Sequence, residues 1–375
     1  MHTPVEVEVL IGGKAQRGWT HYDIDSDLFI PADAYRMSLS KTRMVLPPEV
    51  KEGAAVEVRL VREGTSTTVL SGSLDDRELD VHKNGQDLQL SGRDGAGVLL
   101  DCSTPILSMR QLSLGDVVTK IVRPLGVTRI RIDAENKILR EKVNLEPGDT
   151  AWDSLRRAAE ANGLWPWFDP DGTLVVGRPR YDLPPVATLV LNSDGKGNNV
   201  ERLSERRSIS ERYSEVTVLG QAHAGGTGGG ERSGRNNVRA KVRDDGMTVY
   251  RPKVVVDHEA INEEVARARG RKIISDARLR GYTLTATVLG HYTEDGVAWM
   301  PGQRISVKSE PHGIDGIYFL TGRRFTSNKR VGTTTTLTMK EDGVWLLDAH
   351  PSNRKHRRGK NSLPGRVVDL TGGSS

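Results

Sequence analysis

Few residues in this chain have the type and spacing for chemistry. Its nine histidines are scattered. No His-Glu-x-x-His or His-x-His pair offers metal-ligand spacing, so they read as surface or internally satisfied side chains. Asp169-Pro170-Asp171-Gly172 resembles the opening of a calcium loop, but the later ligands and the closing Glu are missing, and a turn is expected. Gly-Gly-Thr-Gly-Gly-Gly at 225–230 lacks the Lys-Ser/Thr of a phosphate loop and reads as a flexible loop. The carboxylate pairs Asp75-Asp76 and Asp244-Asp245 have no nucleophile motif nearby. A glycosidase needs two carboxylates facing across a cleft, which sequence does not display. The single cysteine, Cys102, excludes an intrachain disulfide framework and a cysteine-rich zinc site. The residues therefore predict no catalytic, metal or cofactor site.

Aromatic residues remain. Trp152 shares a helical stripe with Leu155, Ala158 and Ala159 and is expected in a core. Trp165 and Trp167 alternate within a strand, so they share a face that is either core or interface.

The elements around these residues have two textures. In the first 95 residues, VEVEVLI places Val5, Val7, Val9 and Ile11 on one face and Glu6 and Glu8 on the other. AVEVRLV from Ala55 repeats the alternation. Asn84-Gly85 between ELDVH and DLQLSG signals a hairpin, so a small barrel or sandwich is expected. From 96 to about 180 the pattern becomes α+β. Ser113 and Asp116 form a capping box before Val117, Val118 and Ile121, and Pro124 stops that helix. Thr150 and Asp153 form a second box, and Asn162-Gly163 ends the second helix. LWPWF, DPDG and TLVVG then make a hairpin. Strands resume over 181–350, interrupted at about 223–280 by the Gly-rich loop (223–237) and a helix over roughly 258–279. Residues 351–375 are polar and basic and read as a mobile tail.

Composition narrows the function classes. The chain has 375 residues and a net charge of +5, from 54 basic against 49 acidic residues. The charges are interspersed. ERRSISER (205–212) and RKHRRGK (354–360) read as a solvated face and a floppy tail. No apolar run is long enough to span a bilayer, and no signal peptide is expected at the start.

Three stretches resemble the baseplate hub protein of Mu-like contractile-tailed phages, which is related to the T-even phage hub and to type VI secretion spike hubs. LQLSGRDGAGVLLDCST (88–104) is similar to the family's strand-end motif. ERYSEVTVLGQA (211–222) looks like the strand opening its second barrel, and WMPGQRISV through TTTTLTM (299–339) like that barrel's closing strands. The resemblance covers nearly the whole chain. It implies a mainly β protein with two tail-tube-like β-barrel domains (1–95 and 181–350), the second carrying the insertion. These flank a small α+β domain (96–180), whose Glu146–Gly177 stretch is similar to a LysM fold. It further implies a homotrimeric structural hub in the virion, assembled in the bacterial host cytoplasm. Such a hub forms a pseudo-six-fold ring between a hexameric tail tube protein and a trimeric central spike protein, with other baseplate proteins around it. DNA passes the lumen without specific binding, and no membrane is involved. Two rivals stay open. One is a peptidoglycan-binding or cell-wall-degrading tail protein. The other is a basic nucleic-acid binder, whose affinity would fall steeply with salt.

Overall fold

The computed structural model describes residues 5–104, 114–133, 148–160, 162–221, 237–257, 260, 262–328, 332–345 and 368–369. The first region is β1 (Glu6–Ile11), β2 (Lys14–Gln16), β3 (His21–Asp27), β4 (Ala34–Lys41), β5 (Ala55–Arg62), β6 (Thr65–His82) and β7 (Gly85–Asp94). Alternation works as expected: Val7, Val9 and Ile11 are buried. The β6–β7 hairpin turns at Lys83-Asn84, one residue before the Asn-Gly pair, because His82 pairs with Gly85.

The second region contains α1 (Ala96–Asp101), α2 (Leu114–Val122), β8 (Ile130–Ile132), α3 (Ala151–Glu160), β9 (Trp165–Phe168) and β10 (Leu174–Gly177). At the start of α3 the Thr150 hydroxyl donates to Asp153 at 2.9 Å and accepts from the Asp153 N–H at 3.1 Å. Ser113 lies outside the described residues. After α2 a single 3-10 turn over Arg123–Leu125 ends at Gly126, which is left-handed at φ 89°. The α2 and α3 stripes pack on β8 and β10 in one core with Trp152, Leu155, Val118 and Ile121.

The third region runs β11 (Thr188–Leu191), β12 (Arg202–Arg207), β13 (Glu215–Gln221), β14 (Asn237–Arg243), β15 (Pro252–Val256), α4 (Glu263–Gly281), β16 (Tyr282–Leu289), β17 (Arg304–Ser309), β18 (Ile314–Asn328) and β19 (Gly332–Glu341), with β20 (Val368–Asp369) near the end. Helix α4 begins later than the pattern suggested because Asn262 caps it, accepting from the Val265 N–H at 2.9 Å. The Gly-rich loop before Asn237 lies outside the described residues. So does the basic tail, except β20, which pairs antiparallel with β8.

Two expectations change. The two β regions are joined edge to edge. They share a 13-stranded sheet whose main path is β12-β16-β19-β18-β3-β4-β7-β6-β5-β1-β2, and no closed barrel forms among the described residues. The join is β18 against β3, from Gly322 opposite Asp27 to Ser327 opposite Tyr22. The second change concerns ERYSEVTVLGQA. Its strand, β13, does not enter the large sheet but sits between β14 and β15 in a three-stranded sheet. Val216 and Val218 bury against α4 there, forming a separate core. An alternating strand reads the same in either sheet, so its pattern could not assign it.

An aromatic knot ties the α+β region to both β regions. Phe29 and Trp165 meet Trp345 edge-on at 4.8 and 5.8 Å, and Tyr181 meets Phe319 at 5.1 Å. Trp165 also donates its Nε1–H to the Leu28 carbonyl at 2.7 Å. Trp152, by contrast, is 2% exposed and its Nε1 finds no partner among the described residues, so packing alone holds it. Trp152→Ala should destabilise the α+β region by about 3–5 kcal/mol. Chemical denaturation followed through the remaining tryptophans measures this, and a change below about 0.5 kcal/mol would contradict the core assignment.

Candidate functional site

Several of the groups singled out for chemistry are engaged in structural contacts. Asp75 accepts from Arg93 Nε at 2.5 Å, and the same guanidinium reaches Asp101 at 2.6 Å. Asp244 pairs with Arg212 at 2.9 Å and accepts the Gly246 N–H. Asp169 and Asp171 pair with Arg131 and Arg129 across the β9–β10 turn, where Gly172 is left-handed at φ 82°. Trp167 donates to Asp169 at 2.9 Å. Cys102 is a half-buried free thiol.

His291 is a satisfied core histidine. Thr335 donates its hydroxyl to the Gly290 carbonyl and so must accept from His291 Nδ1–H, at 3.0 Å. Nε2 is left as acceptor for the Tyr22 hydroxyl at 2.7 Å. Burial, with Arg323 nearby, pushes the imidazole down to about 3, which keeps it neutral.

The extended feature is the polar face of the large sheet. Register links carry it across eight antiparallel strands, β12-β16-β19-β18-β3-β4-β7-β6. Arg202, Ser204 and Arg206 of β12 stand beside Thr287, Thr285 and Thr283. Thr287 and Thr285 stand beside Thr336 and Thr338. Arg324 and Thr326 follow, then Asp25 and Asp23, with Arg36 opposite Asp23. Ser91, Gln89 and Asp87 on β7 lead to Asp76, Glu78 and Asp80 on β6. The other face is the main core. Period-two hydroxyls in YTLTATVL and TTTTLTM carried this signal in the sequence, but their meaning needs the neighbouring strands.

Both ends of this arc are open among the described residues. β5 pairs with β6 only over Thr65–Ser73, so Asp76–His82 has a strand on one side only, and Leu79 and Val81 are exposed. β12 pairs only with β16. The β6 edge carries Asp76, Glu78 and Asp80, and the β12 edge Arg202, Arg206 and Arg207.

Where the three regions meet, a cavity of roughly 370 Å³ is lined by Asp27, Asp33, Asp94, Trp167, Met300 and Arg323 among others. Arg323 is fully buried. Its Nη1 donates to the Ile24 carbonyl at 3.1 Å and Nη2 to the Val69 carbonyl at 2.7 Å, and it lies over the Phe325 ring at 4.2 Å. Burial lowers its pKa to about 10, so it stays charged at neutral pH. Loss of water raises Asp27 and Asp33 to about 6 each and holds Asp94 well above the usual range, with Asp33 adding to the effect on Asp94. A carboxyl with a raised folded pKa stabilises the fold when protonated. Its contribution is present at low pH and is lost as pH rises from about 4 through about 6. Asp33→Asn should therefore raise the melting temperature relative to the parent at pH 7.5 and leave it nearly equal at pH 4.5. A constant difference at both pH values would contradict these assignments.

Four family models match successive parts of the chain. Residues 6–94 match "Mu phage baseplate assembly protein GpP-like, N-terminal", and 96–178 match "Baseplate hub protein gp44-like, second domain". Residues 212–274 match "Tail protein NMB1110-like, third domain", and 276–344 match "Tail protein, C-terminal domain". The baseplate hub protein gp44 of Escherichia phage Mu is 24% identical over 360 residues, covering 94% of this chain and 92% of that protein. The crystal structure of the tail protein from Neisseria meningitidis MC58 is 39% identical, with a TM-score of 0.78 over 92% of this chain and 99% of that one. The fold is also that of the 43 kDa tail protein of prophage MuSo2 from Shewanella oneidensis. That protein is 23% identical, with a TM-score of 0.75 over 93% of this chain and all of the other. With the strand-end motif, the continuous sheet and a relative of this identity and coverage in agreement, the chain belongs to the family of Mu-like phage tail baseplate hub proteins.

Proposed function

We propose that three copies close head-to-tail into a pseudo-six-fold ring, with the edge of β6 in one copy pairing with β12 of the next. The observation that carries this reading is the arc with two open edges of opposite charge. Eight antiparallel strands is an even number, so strand direction keeps alternating through such a seam. Asp76, Glu78 and Asp80 would face Arg202 and Arg206 on the polar side, and cross-strand pairs of opposite charge stabilise a sheet. The exposed Leu79 and Val81 would be covered on the core side. Open strand edges are natural sites for such pairing.

The dimensions are compatible with a conduit. Strands about 4.8 Å apart give three arcs roughly 115 Å of circumference, or about 37 Å across the backbones before strand tilt widens it. About 5 Å of side chain on each wall leaves roughly 27 Å, enough for a duplex about 20 Å wide. The polar face would line it. Its hydroxyls are neutral and its carboxylates outnumber its guanidinium groups, so phosphates would slide past without being held. In this reading the ring is a structural adaptor between a six-fold tail tube and a three-fold spike. The two β regions act as the tube-like units, and the α+β domain, similar in sequence to a LysM fold, sits outside the lumen and faces other baseplate proteins.

Light scattering coupled to gel filtration should give a trimer of about 124 kDa, three times 41.2 kDa. Negative-stain images should show a central hole. A strict monomer or two-fold dimer at every concentration, with or without a spike protein, would refute the ring. Arg202→Glu with Arg206→Glu should raise the concentration needed for trimer at least several-fold, and adding Asp80→Lys with Glu78→Lys should recover part of it. If reversing these charges leaves assembly unchanged, the seam lies elsewhere.

A further inference from the structure

Among the described residues, helix α4 covers one face of the small sheet, and the edge strands of the other face carry exposed side chains. Val216, Val218 and Ala240 are buried under α4. On the opposite face the registers set Leu219 between Arg239 and Val256, and Thr217 between Lys241 and Val254. Two columns result. Arg239, Lys241 and Arg243 run along β14, and Val254 and Val256, each 63% exposed, run along β15. Lys241 and Arg243 share Glu215, at 2.8 and 3.7 Å. Arg239 makes no ion pair with a described residue. Alternate exposed valines on an edge strand are a liability that proteins rarely leave uncovered.

We propose that this face seats an acidic amphipathic helix supplied by another tail protein. The geometry selects a helix over a strand. The two columns are two strands apart, about 9–10 Å, and a helix is about 10 Å across. A helix lying along the strands would set an apolar stripe on Val254 and Val256 and an Asp/Glu flank on Arg239 and Lys241. β15 spans five residues, about 17 Å, which three turns of helix cover. A strand added at the open edge of β15 would instead stand roughly 15 Å from the cation column and leave Arg239 without a counter-charge. A second copy of this chain has no helix to offer among the described residues. The apolar faces of α1, α2 and α3 are spent on their own core, and that of α4 is spent on this same sheet. The inference is independent of the ring, because β13, β14 and β15 lie outside the eight-strand arc.

The test places a photo-crosslinking amino acid at position 254 of the full chain, assembled into tail particles. Position 45, a valine 85% exposed on the large-sheet region, is the control. Mass spectrometry of the adducts should show an acidic amphipathic segment of another tail protein at 254 and not at 45. A synthetic peptide of that segment should bind the purified full chain and gain helical circular dichroism. Val254→Asp with Val256→Asp, and separately Arg239→Glu, should each weaken binding at least tenfold with an unchanged melting temperature. Adducts to another copy of this chain, to an extended segment or to DNA would overturn the proposal. So would particles that contain the chain but give no adduct at 254, or a peptide indifferent to Arg239→Glu.

Discussion

The pairing of β18 with β3 is the contact on which the rest depends. It joins strands whose residues lie 299 positions apart, as in the bond from Arg323 to Ile24. Loop-closure cost grows only with the logarithm of length, so backbone pairing and a shared core can outweigh it. Arg323 helps to fasten that join. Its guanidinium satisfies carbonyls on β3 and β6 while its plane lies on Phe325. A buried cation is costly alone, and Asp33 and Asp25 offset part of that cost. Loss of water raises Asp25, Asp27 and Asp33, and the charge on Arg323 works against that rise at Asp25 and Asp33.

The strand-end motif SGRDG acquires a physical role from the same seam. A Cβ on Gly92 would lie 2.0 Å from the Ser73 carbonyl and 2.6 Å from the Tyr35 hydroxyl, so only glycine lets β6 and β7 approach there. Tyr35 then donates to Ser73 at 3.0 Å. Arg93 ties Asp75 to Asp101, and Asp94 accepts the Ala96 N–H at the start of α1. Gly95 packs against the Phe168 ring, where a side chain would collide. Four consecutive residues thus pass the chain from the large sheet into the α+β region at a fixed angle. With the aromatic knot around Trp345, they set that region against both halves of the sheet.

The large sheet separates two tasks by face. One side is a core that runs unbroken from Val9 to Met339. The other presents threonine, serine and paired charges with little apolar surface. Many of the sheet's acidic side chains are engaged in turns and ion pairs, as Asp23 is with Arg324 and Asp75 with Arg93. That fits the structural role of the baseplate hub proteins the chain resembles.

The sequence alone determined the local elements. Period-two valines specified β1 and β5, the Thr150–Asp153 box and its apolar stripe specified α3, and Asp-Pro-Asp-Gly specified the turn before β10. These depend on neighbours within a few residues, where sterics and capping decide. The family was legible too, because the strand-end motif is a local sterically constrained unit. Only the tertiary structure decided which strands pair. β13 alternates like its neighbours yet leaves the large sheet, and β18 reaches β3 instead of closing a barrel of its own. Alternation says that a strand has two unlike faces and is silent about which backbone lies beside it. The same limit hid Arg323, one of two adjacent arginines in GRRFTS: its neighbour Arg324 points to the polar face and pairs with Asp23, while Arg323 points into the core. Their opposite fates follow from strand parity at a join between distant segments, which no local pattern records.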